Sequence, residues 1–407
     1  MTTVRTLILS GGGGRGAFHA GVYKYLSQAA KPGVDPAHQG AWEANIVVGT
    51  SIGAVNGAAI VQGITADEME NIWRGLREHD IQGLPPGMRG ATRWISNLLL
   101  RQFIGVKLPK VPSEQATSPT PQESWISIGP RWLTDRLVGR WSNLLDTGPL
   151  KRTLETKLHI DLQKIADSQR TLLINATNVR TGERVTFSNR VITQRNSGEP
   201  RPDVIPGIDL QRILASCSIP LVYPWTYDEQ TAEVYWDGAV VANTPLSGAL
   251  DAAQEWPIET PMEVVVVMMT PWVDRNQDGV IDERDLPLPS SFSEALTVTL
   301  DWALLATFRE RLRITEAYNR LAQMEREHAQ RLKSTQQDGA GSSPTETFQP
   351  RYRQVNVVVV APEKFFPAAR ILDYDERTEQ LILLGYQAAE RAFRGHFPDL
   401  GAASKEV

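Results

Sequence analysis

The stretch from Val4 to Gly16, VRTLILSGGGGRG, constrains this chain more than any other. An apolar run ends in four consecutive glycines, Gly11 to Gly14, followed by Arg15 and Gly16. The run reads as a buried strand. Glycine loses more conformational freedom on folding than any other residue, so a row of them marks a place where bare backbone is needed. A helix-spaced segment follows, RGAFHAGVYKYLSQAA, with Ala17, Ala20, Tyr23 and Leu26 on one face. A second apolar run, ANIVVG, then enters GTSIG and a second helical segment, SIGAVNGAAIVQG. Strand, turn, helix, strand, turn, helix predicts the α/β class: a mostly parallel sheet with helices on its faces.

The remaining elements extend that plan. TLLINATNV (171–179) and ERVTFSN (183–189) read as paired strands. EVYWDG, MEVVVVMMT (262–270) and QVNVVVVAP read as further strands, the second buried on both faces by its unbroken apolar run. Residues 291–333 and 376–394 read as helices. Between 81 and 145 repeated prolines break the pattern, and four of the eleven tryptophans fall there, so this block is expected to be an insertion on the core. Within it, TRWISNLLLRQFIG places Trp94, Ile95, Leu98, Leu99 and Phe103 near one helical face beside Arg93 and Arg101. That face fits a lid or a membrane-touching helix, and equally a helix packed on the core. Residues 334–350, STQQDGAGSSPTETFQP, read as a polar flexible loop. There is no internal repeat, and residues 1–400 read as one domain.

Composition narrows the function. The 407 residues are 41% hydrophobic and 22% charged, with a net charge of −5, which argues against nucleic acid as the main partner. One cysteine, Cys217, excludes a disulfide framework or a cysteine metal cluster. The N-terminus lacks the features of a cleaved signal peptide, and the longest apolar run, Val264 to Met269, is too short to span a bilayer. A cytoplasmic location is therefore expected. Peripheral membrane association and signal-independent export are both compatible with it. Nothing in the sequence speaks to oligomeric state.

Gly49-Thr50-Ser51-Ile52-Gly53 is G-x-S-x-G between a strand and a helix, the setting of a nucleophile elbow. Gly49 and Gly53 leave room for the sharp turn, and the helix directs its positive end toward Ser51. The alternative is a tight structural turn. If Ser51 is a nucleophile, the opening glycines acquire a purpose. Acyl transfer passes through a tetrahedral oxyanion, which backbone N–H groups of the Gly11–Gly14 turn would stabilise; losing one such donor costs roughly 3 kcal/mol. Arg15 would hold the loop or add charge.

A rival pattern overlaps it. Gly11-x-Gly13-x-x-Gly16 is also G-x-G-x-x-G, but the acidic residue that a dinucleotide site needs after the next strand is replaced by Gly49-Thr50-Ser51. Arg15-Gly16 stands where a P-loop requires lysine and a hydroxyl residue. For a base, the α/β-hydrolase order would need a late histidine, His328 or His396. His328 lies on a charged helical face, His396 beyond the last helix, and only one strand precedes Ser51. Asp237, closing the strand EVYWDG, is the other candidate, although Asp-Gly after a strand is commonly a turn.

Taken in order, the glycine turn with Arg15-Gly16, Gly-Thr-Ser-Ile-Gly, and Asp-Gly-Ala followed by Asn-Thr-Pro closely resemble the patatin-like phospholipase family. ILASCSIPLVYPW (213–225), DTGPLKRTLE (146–155) and the closing segment from APEKFF to LLGYQAA agree with it. Ser10, where an aspartate is often found, and Ala239, where a second glycine is common, depart from the pattern. The resemblance implies a patatin-like three-layer α/β/α sandwich and a lipid acyl hydrolase. It implies a histidine-free dyad: Ser51 the nucleophile, Asp237 the proton acceptor, and Gly12, Gly13 and Gly14 the oxyanion donors. No cofactor is required; a carboxylate serves as base for a serine hydroxyl only when partly desolvated, which raises its pKa, and an acid limb in the carboxylate range is expected in the pH profile. A small-acyl carboxylesterase or thioesterase would use the same site; a non-catalytic lipid-binding module would keep the fold without the chemistry.

One stretch lies outside that pattern. DRNQDGVIDERD fits a calcium loop, with Asp274, Asn276, Asp278, the Val280 carbonyl and Asp285 at ligand positions, Gly279 at the turn, and Asp282 at position nine. Flanking EF-hand helices are missing, and the alternative is an acidic surface turn. Calcium there would be structural.

Overall fold

In the computed structural model, the described residues are 3–28, 42–83, 145–195, 197–272, 288–289, 292–337, 350–363, 366, 374 and 377–394. The strands are β1 (Val4–Leu9), β2 (Ile46–Thr50), β3 (Thr171–Asn178), β4 (Arg184–Ser188), β5 (Val204–Pro206), β6 (Thr226–Asp228), β7 (Glu233–Asp237), β8 (Met262–Val267) and β9 (Val355–Val360). Their order is β5-β4-β3-β2-β1-β8-β9, with β7 added to β3 and β6 to β7. The run β3-β2-β1-β8-β9 is parallel throughout.

Side chains alternate across this sheet, and each face has its own core. Leu7, Leu9, Val47, Val265 and Val267 pack on one face; Val4, Ile8, Val48, Val264 and Val266 pack on the other. The first face is covered by α1 (Ala17–Gln28), α2 (Ile52–Val61), α3 (Ala66–Gly75), α4 (Gly148–Thr156) and α5 (Leu210–Ser216), and by the last helix. The second is covered by α6 (Leu246–Ala252) and α7 (Phe292–Gln337). That last helix is α8 (Thr378–Arg394). This is the three-layer α/β/α arrangement that the sequence predicts. The α1 and α8 helices cross backbone to backbone: a Cβ on Gly21 would stand 1.9 Å from the Ile382 carbonyl oxygen, and one on Gly385 2.1 Å from that of Phe18.

At 1.5 Å per residue, α7 is on the order of 70 Å long. Leu305, Phe308 and Leu312 bury one part of it, and many later positions are exposed. It runs to Gln337, four residues into the stretch expected as loop; Ser334 to Gln337 carry no breaker, and the first glycine comes after them. The rest of that expected loop, 338–349, lies outside the described residues. So do 84–144 of the expected insertion, with the Trp94–Phe103 segment, and the whole of Asp274–Asp285. At the margins of the insertion, Gly83 and Asp146 are joined by an antiparallel bridge, Asp146 N–H donating to the Gly83 carbonyl at 2.8 Å. No described helix is long and apolar enough to cross a membrane.

One feature of the sheet positions the site. Along one edge of β3, β2 pairs in parallel as far as Thr50 opposite Asn175. The neighbouring residue, Ala176, pairs instead with Asp237 of antiparallel β7. The far edge at Ala176 is taken by Val185 of β4, so β2 and β7 meet end to end on the same edge.

Candidate active site

Ser51 stands at that meeting point, directly after β2 and before α2. Its φ of 56° and ψ of −129° form a strained turn that costs about 1–3 kcal/mol and persists only where its surroundings enforce it. They do so at close range. A Cβ on Gly49 would lie 2.4 Å from the Gly53 carbonyl oxygen, and one on Gly53 2.1 Å from that of Leu9, so neither position accepts a side chain. The Ser51 N–H donates to Ser216 Oγ at 2.9 Å, and Ser216 Oγ–H donates to the Asn175 carbonyl at 2.6 Å. Asn175 in turn reaches the Gly49 carbonyl through Nδ2 at 3.4 Å and accepts from Thr186 Oγ1 at 3.1 Å. The elbow is thus tied from behind to β3 and to the end of α5.

Asp237 closes β7 and is 2% exposed. Its backbone is fixed by N–H donation to the Ser218 carbonyl at 2.9 Å and by Thr177 Oγ1 donating to its carbonyl at 3.0 Å. Its carboxylate accepts the Ala239 N–H at 2.8 Å and a hydrogen bond from the Ser51 side chain. Burial pushes its pKa up to about 7, and these two hydrogen bonds are what pull the other way. Among the described residues no cation neighbours this carboxylate, so nothing else there holds it ionised. The sequence-based expectation is a partly desolvated carboxylate with its acid limb still in the carboxylate range; burial carries Asp237 further, into the imidazole range.

The glycine turn lies against Ser51. A Cβ on Gly11 would stand 3.0 Å from the Ser51 Cβ and 2.8 Å from Asn243 Oδ1. Gly11 N–H donates to that Asn243 oxygen at 2.7 Å, so it is already engaged. The 3₁₀ turn Gly13–Gly16 starts with Arg15 N–H donating to the Gly12 carbonyl at 3.2 Å. The amides of Gly12, Gly13 and Gly14 precede that bond and have no acceptor inside the turn. Gly13, at φ 57°, needs the left-handed region. Arg15 is buried and folds back so that Nε donates to the Gly12 carbonyl at 3.3 Å, which makes it a brace of the loop.

Behind the turn, Trp73 Nε1–H donates to Asn56 Oδ1 at 3.1 Å and thereby fixes the amide's orientation. Asn56 Nδ2 then donates to the Gly16 carbonyl at 3.1 Å and to His19 Nδ1 at 3.2 Å. His19 is fully buried, and burial lowers its pKa to about 3, so it is a neutral structural group. Among the described residues no histidine is bonded to Ser51 or Asp237, and no group of three or more His, Cys, Asp or Glu is placed to hold a metal. His396 lies outside the described residues.

The structure therefore gathers Ser51, Asp237 and the glycine turn, which are far apart in the chain. It adds three residues to which sequence reasoning gave no role: Ser216, Asn175 and Asn243. Their segments were visible as the small-residue run before Ile-Pro, the central strand and Asn-Thr-Pro, but their bonding partners were not.

A fold and site of this kind define a patatin-type α/β hydrolase architecture. The chain belongs to the patatin-like phospholipase family, whose family model matches residues 7–250. Members of that family are lipid acyl hydrolases. No curated protein matches the sequence. Among solved structures, VipD from Legionella pneumophila is similar at 14% identity and a TM-score of 0.43, over 97% of this chain and 67% of that one. The type III effector protein ExoU matches at 14% identity and a TM-score of 0.31, over 99% of this chain and 56% of that one. Human GIVD cytosolic phospholipase A2, in complex with methyl gamma-linolenyl fluorophosphonate, matches at 11% and 0.35, over 97% of this chain and 60% of that one. The chain thus spans between 56% and 67% of the length of these three.

Proposed function

We propose that this protein hydrolyses carboxylic esters of lipids through a Ser51/Asp237 dyad and an acyl-enzyme. The observation that carries this reading is the placement of the Ser51 side chain, held at a strained elbow, against the buried carboxylate of Asp237, whose pKa burial raises to about 7. A base is most effective with its pKa near the working pH, and an unperturbed aspartate would be too weak. In the acylation step the Ser51 proton moves to Asp237 as Oγ attacks the ester carbonyl. The oxyanion is met by the amides of Gly12, Gly13 and Gly14, and Arg15 keeps their loop in place. Asp237 returns the proton to the departing alcohol, and water repeats the sequence to release the acid. No metal enters these steps. Calcium at Asp274, Asn276, Asp278, Val280 and Asp285 would serve the fold, so hydrolysis of a soluble ester is expected to be equal in calcium and in chelator.

The test is labelling by a fluorescent fluorophosphonate together with hydrolysis of a short nitrophenyl ester. Ser51→Ala should abolish labelling and lower turnover by at least about a thousandfold. Asp237→Asn should reduce turnover comparably, and His396→Ala should leave both intact. Loss of activity in His396→Ala would replace the dyad with a triad. Full activity in Ser51→Ala would remove the proposal.

A further inference from the structure

At the end of the sheet where β8 and β9 begin, a cavity of about 440 Å³ opens between the 194–201 loop, the region after α6, the middle of α7 and the segment entering β9. Four arginines line it: Arg195, Arg201, Arg351 and Arg353. Arg201 is neutralised by Asp203 at 3.0 Å and Asp251 at 3.1 Å. Among the described residues the other three have no carboxylate within ion-pair distance. Arg353 is half-buried; its NH2 group donates to the carbonyls of Ala253 at 2.9 Å and Trp256 at 2.8 Å and its NH1 group to the carbonyl of Thr260, so its donors are largely taken by backbone while its charge meets no carboxylate at ion-pair distance among the described residues. Burial, and then the nearby Arg195 charge, hold its pKa below the usual arginine range, with Glu259 acting the other way. Glu325 faces the same segment but accepts the backbone N–H groups of Arg351 and Tyr352, at 3.0 and 3.3 Å.

Cations that repel one another around an open concavity are stabilised by an anion placed between them. The neutral lining suits one as well. Tyr318 and Tyr352 stand with ring centroids 5.5 Å apart at the wall, and Gln254 and Thr315 add polar atoms. The volume falls within the range of small-ligand pockets, about 300–1,000 Å³, and is far larger than a single chloride needs. The cavity is not part of the ester site. Val355 pairs with Met262 at the start of the parallel strands, whereas Ser51 follows their opposite ends; six residues of strand separate the two by roughly 20 Å.

We propose that this cavity binds a multiply charged, phosphate-bearing anion at Arg195, Arg351 and Arg353, at a site separate from Ser51. Guanidinium groups meet phosphate oxygens with two parallel N–H bonds, which Arg195 and Arg351 can offer, while Arg353, its donors largely given to backbone carbonyls, adds its positive charge; together they match a multiply charged group better than a lone carboxylate. A soluble polyphosphate ester and a phosphorylated lipid headgroup share this chemistry. The inference does not depend on the ester-hydrolase reading.

The experiment uses the full chain with two probes: sodium pyrophosphate by titration calorimetry, and flotation with phosphatidylcholine vesicles with and without phosphatidic acid. Arg195→Gln combined with Arg351→Gln is the test variant, since both side chains are exposed and neither makes a side-chain bond among the described residues. Its hydrolysis of a soluble ester should match that of the unaltered protein. Probe affinity should fall at least about tenfold, and the paired lysine variant should fall between. Binding of pyrophosphate alone identifies a soluble ligand; binding of phosphatidic acid vesicles alone identifies a lipid headgroup. Either upholds the proposal. Absence of binding to both probes, or equal affinity in the double glutamine variant, overturns it.

Discussion

At the scale of single residues, Asp237 is where function and stability pull apart. Its carboxyl titrates near 7 in the folded protein and near 3.8 when exposed, so between those values the folded state holds a proton that the unfolded state has lost. Stability therefore falls as pH rises from about 4 to about 7, and the cost stays constant above that. Asp237→Asn should stabilise the protein by on the order of 2–4 kcal/mol at pH 8, with the gain shrinking toward zero near pH 4. Thermal unfolding at both pH values measures this; an unchanged or lower stability at pH 8 would contradict the buried-carboxylate picture. The same titration sets the rate. With Asp237 as base, kcat/KM on a short nitrophenyl ester should be flat above pH 7 and fall about tenfold per unit below it. The acid limb alone will not distinguish Asp237 from a histidine, so the variants must do so. Ser51 stands out in the sequence as the centre of G-x-S-x-G between a strand and a helix, whereas Asp237, read alone, is as well explained by a turn and takes a role only through the family resemblance. That desolvation raises the pKa of Asp237 is expected, but not how far, because the extent of burial is a property of the whole surround. Asn243 and Ser216 were not legible, since they bond to Gly11 and Ser51 across 232 and 165 residues of chain.

At the scale of elements, the alternation of strands and helices was legible from periodicity and glycine placement, and β1, β2, β3, β8 and β9 fall where their apolar runs predict. Pairing was less visible. Nothing local says that β7 takes over the β3 edge where β2 stops, yet that hand-over alone brings Asp237 to Ser51. The crossing of α1 and α8 is similarly tertiary. Gly21 offers no special backbone angle and reads as an unremarkable helix residue. Its need is steric, because the Ile382 carbonyl occupies the place of a Cβ. Gly21→Ala should lower stability by about 1–3 kcal/mol by forcing the helices apart, while folded protein keeps its turnover per labelled site. Denaturant unfolding together with active-site titration separates the two effects.

At the scale of the whole molecule, two buried titratable groups act on stability in opposite senses. His19, with a folded pKa of about 3 against 6.5 unfolded, binds fewer protons when folded, so its contribution is complete above pH 6.5 and is lost as pH falls toward 3. Asp237 gains over nearly the same interval, and the two slopes, each about 1.4 kcal/mol per pH unit, largely cancel. His19→Gln should remove one side of that balance. Its melting temperature relative to the unaltered protein should rise on going from pH 7.5 to pH 5; a constant difference would show that His19 does not titrate in this way. The central place of β1 has a further consequence, for the order of synthesis. It leaves the ribosome before both of its neighbours, since Thr6 lies between Ile46 and Val264, and the latter is made far later. At about 5–20 residues per second, one apolar edge of the first strand stays open for on the order of tens of seconds. Until β8 arrives, the nascent chain carries an unpaired apolar strand edge, so its yield in a cell depends on what shelters that edge in the interval.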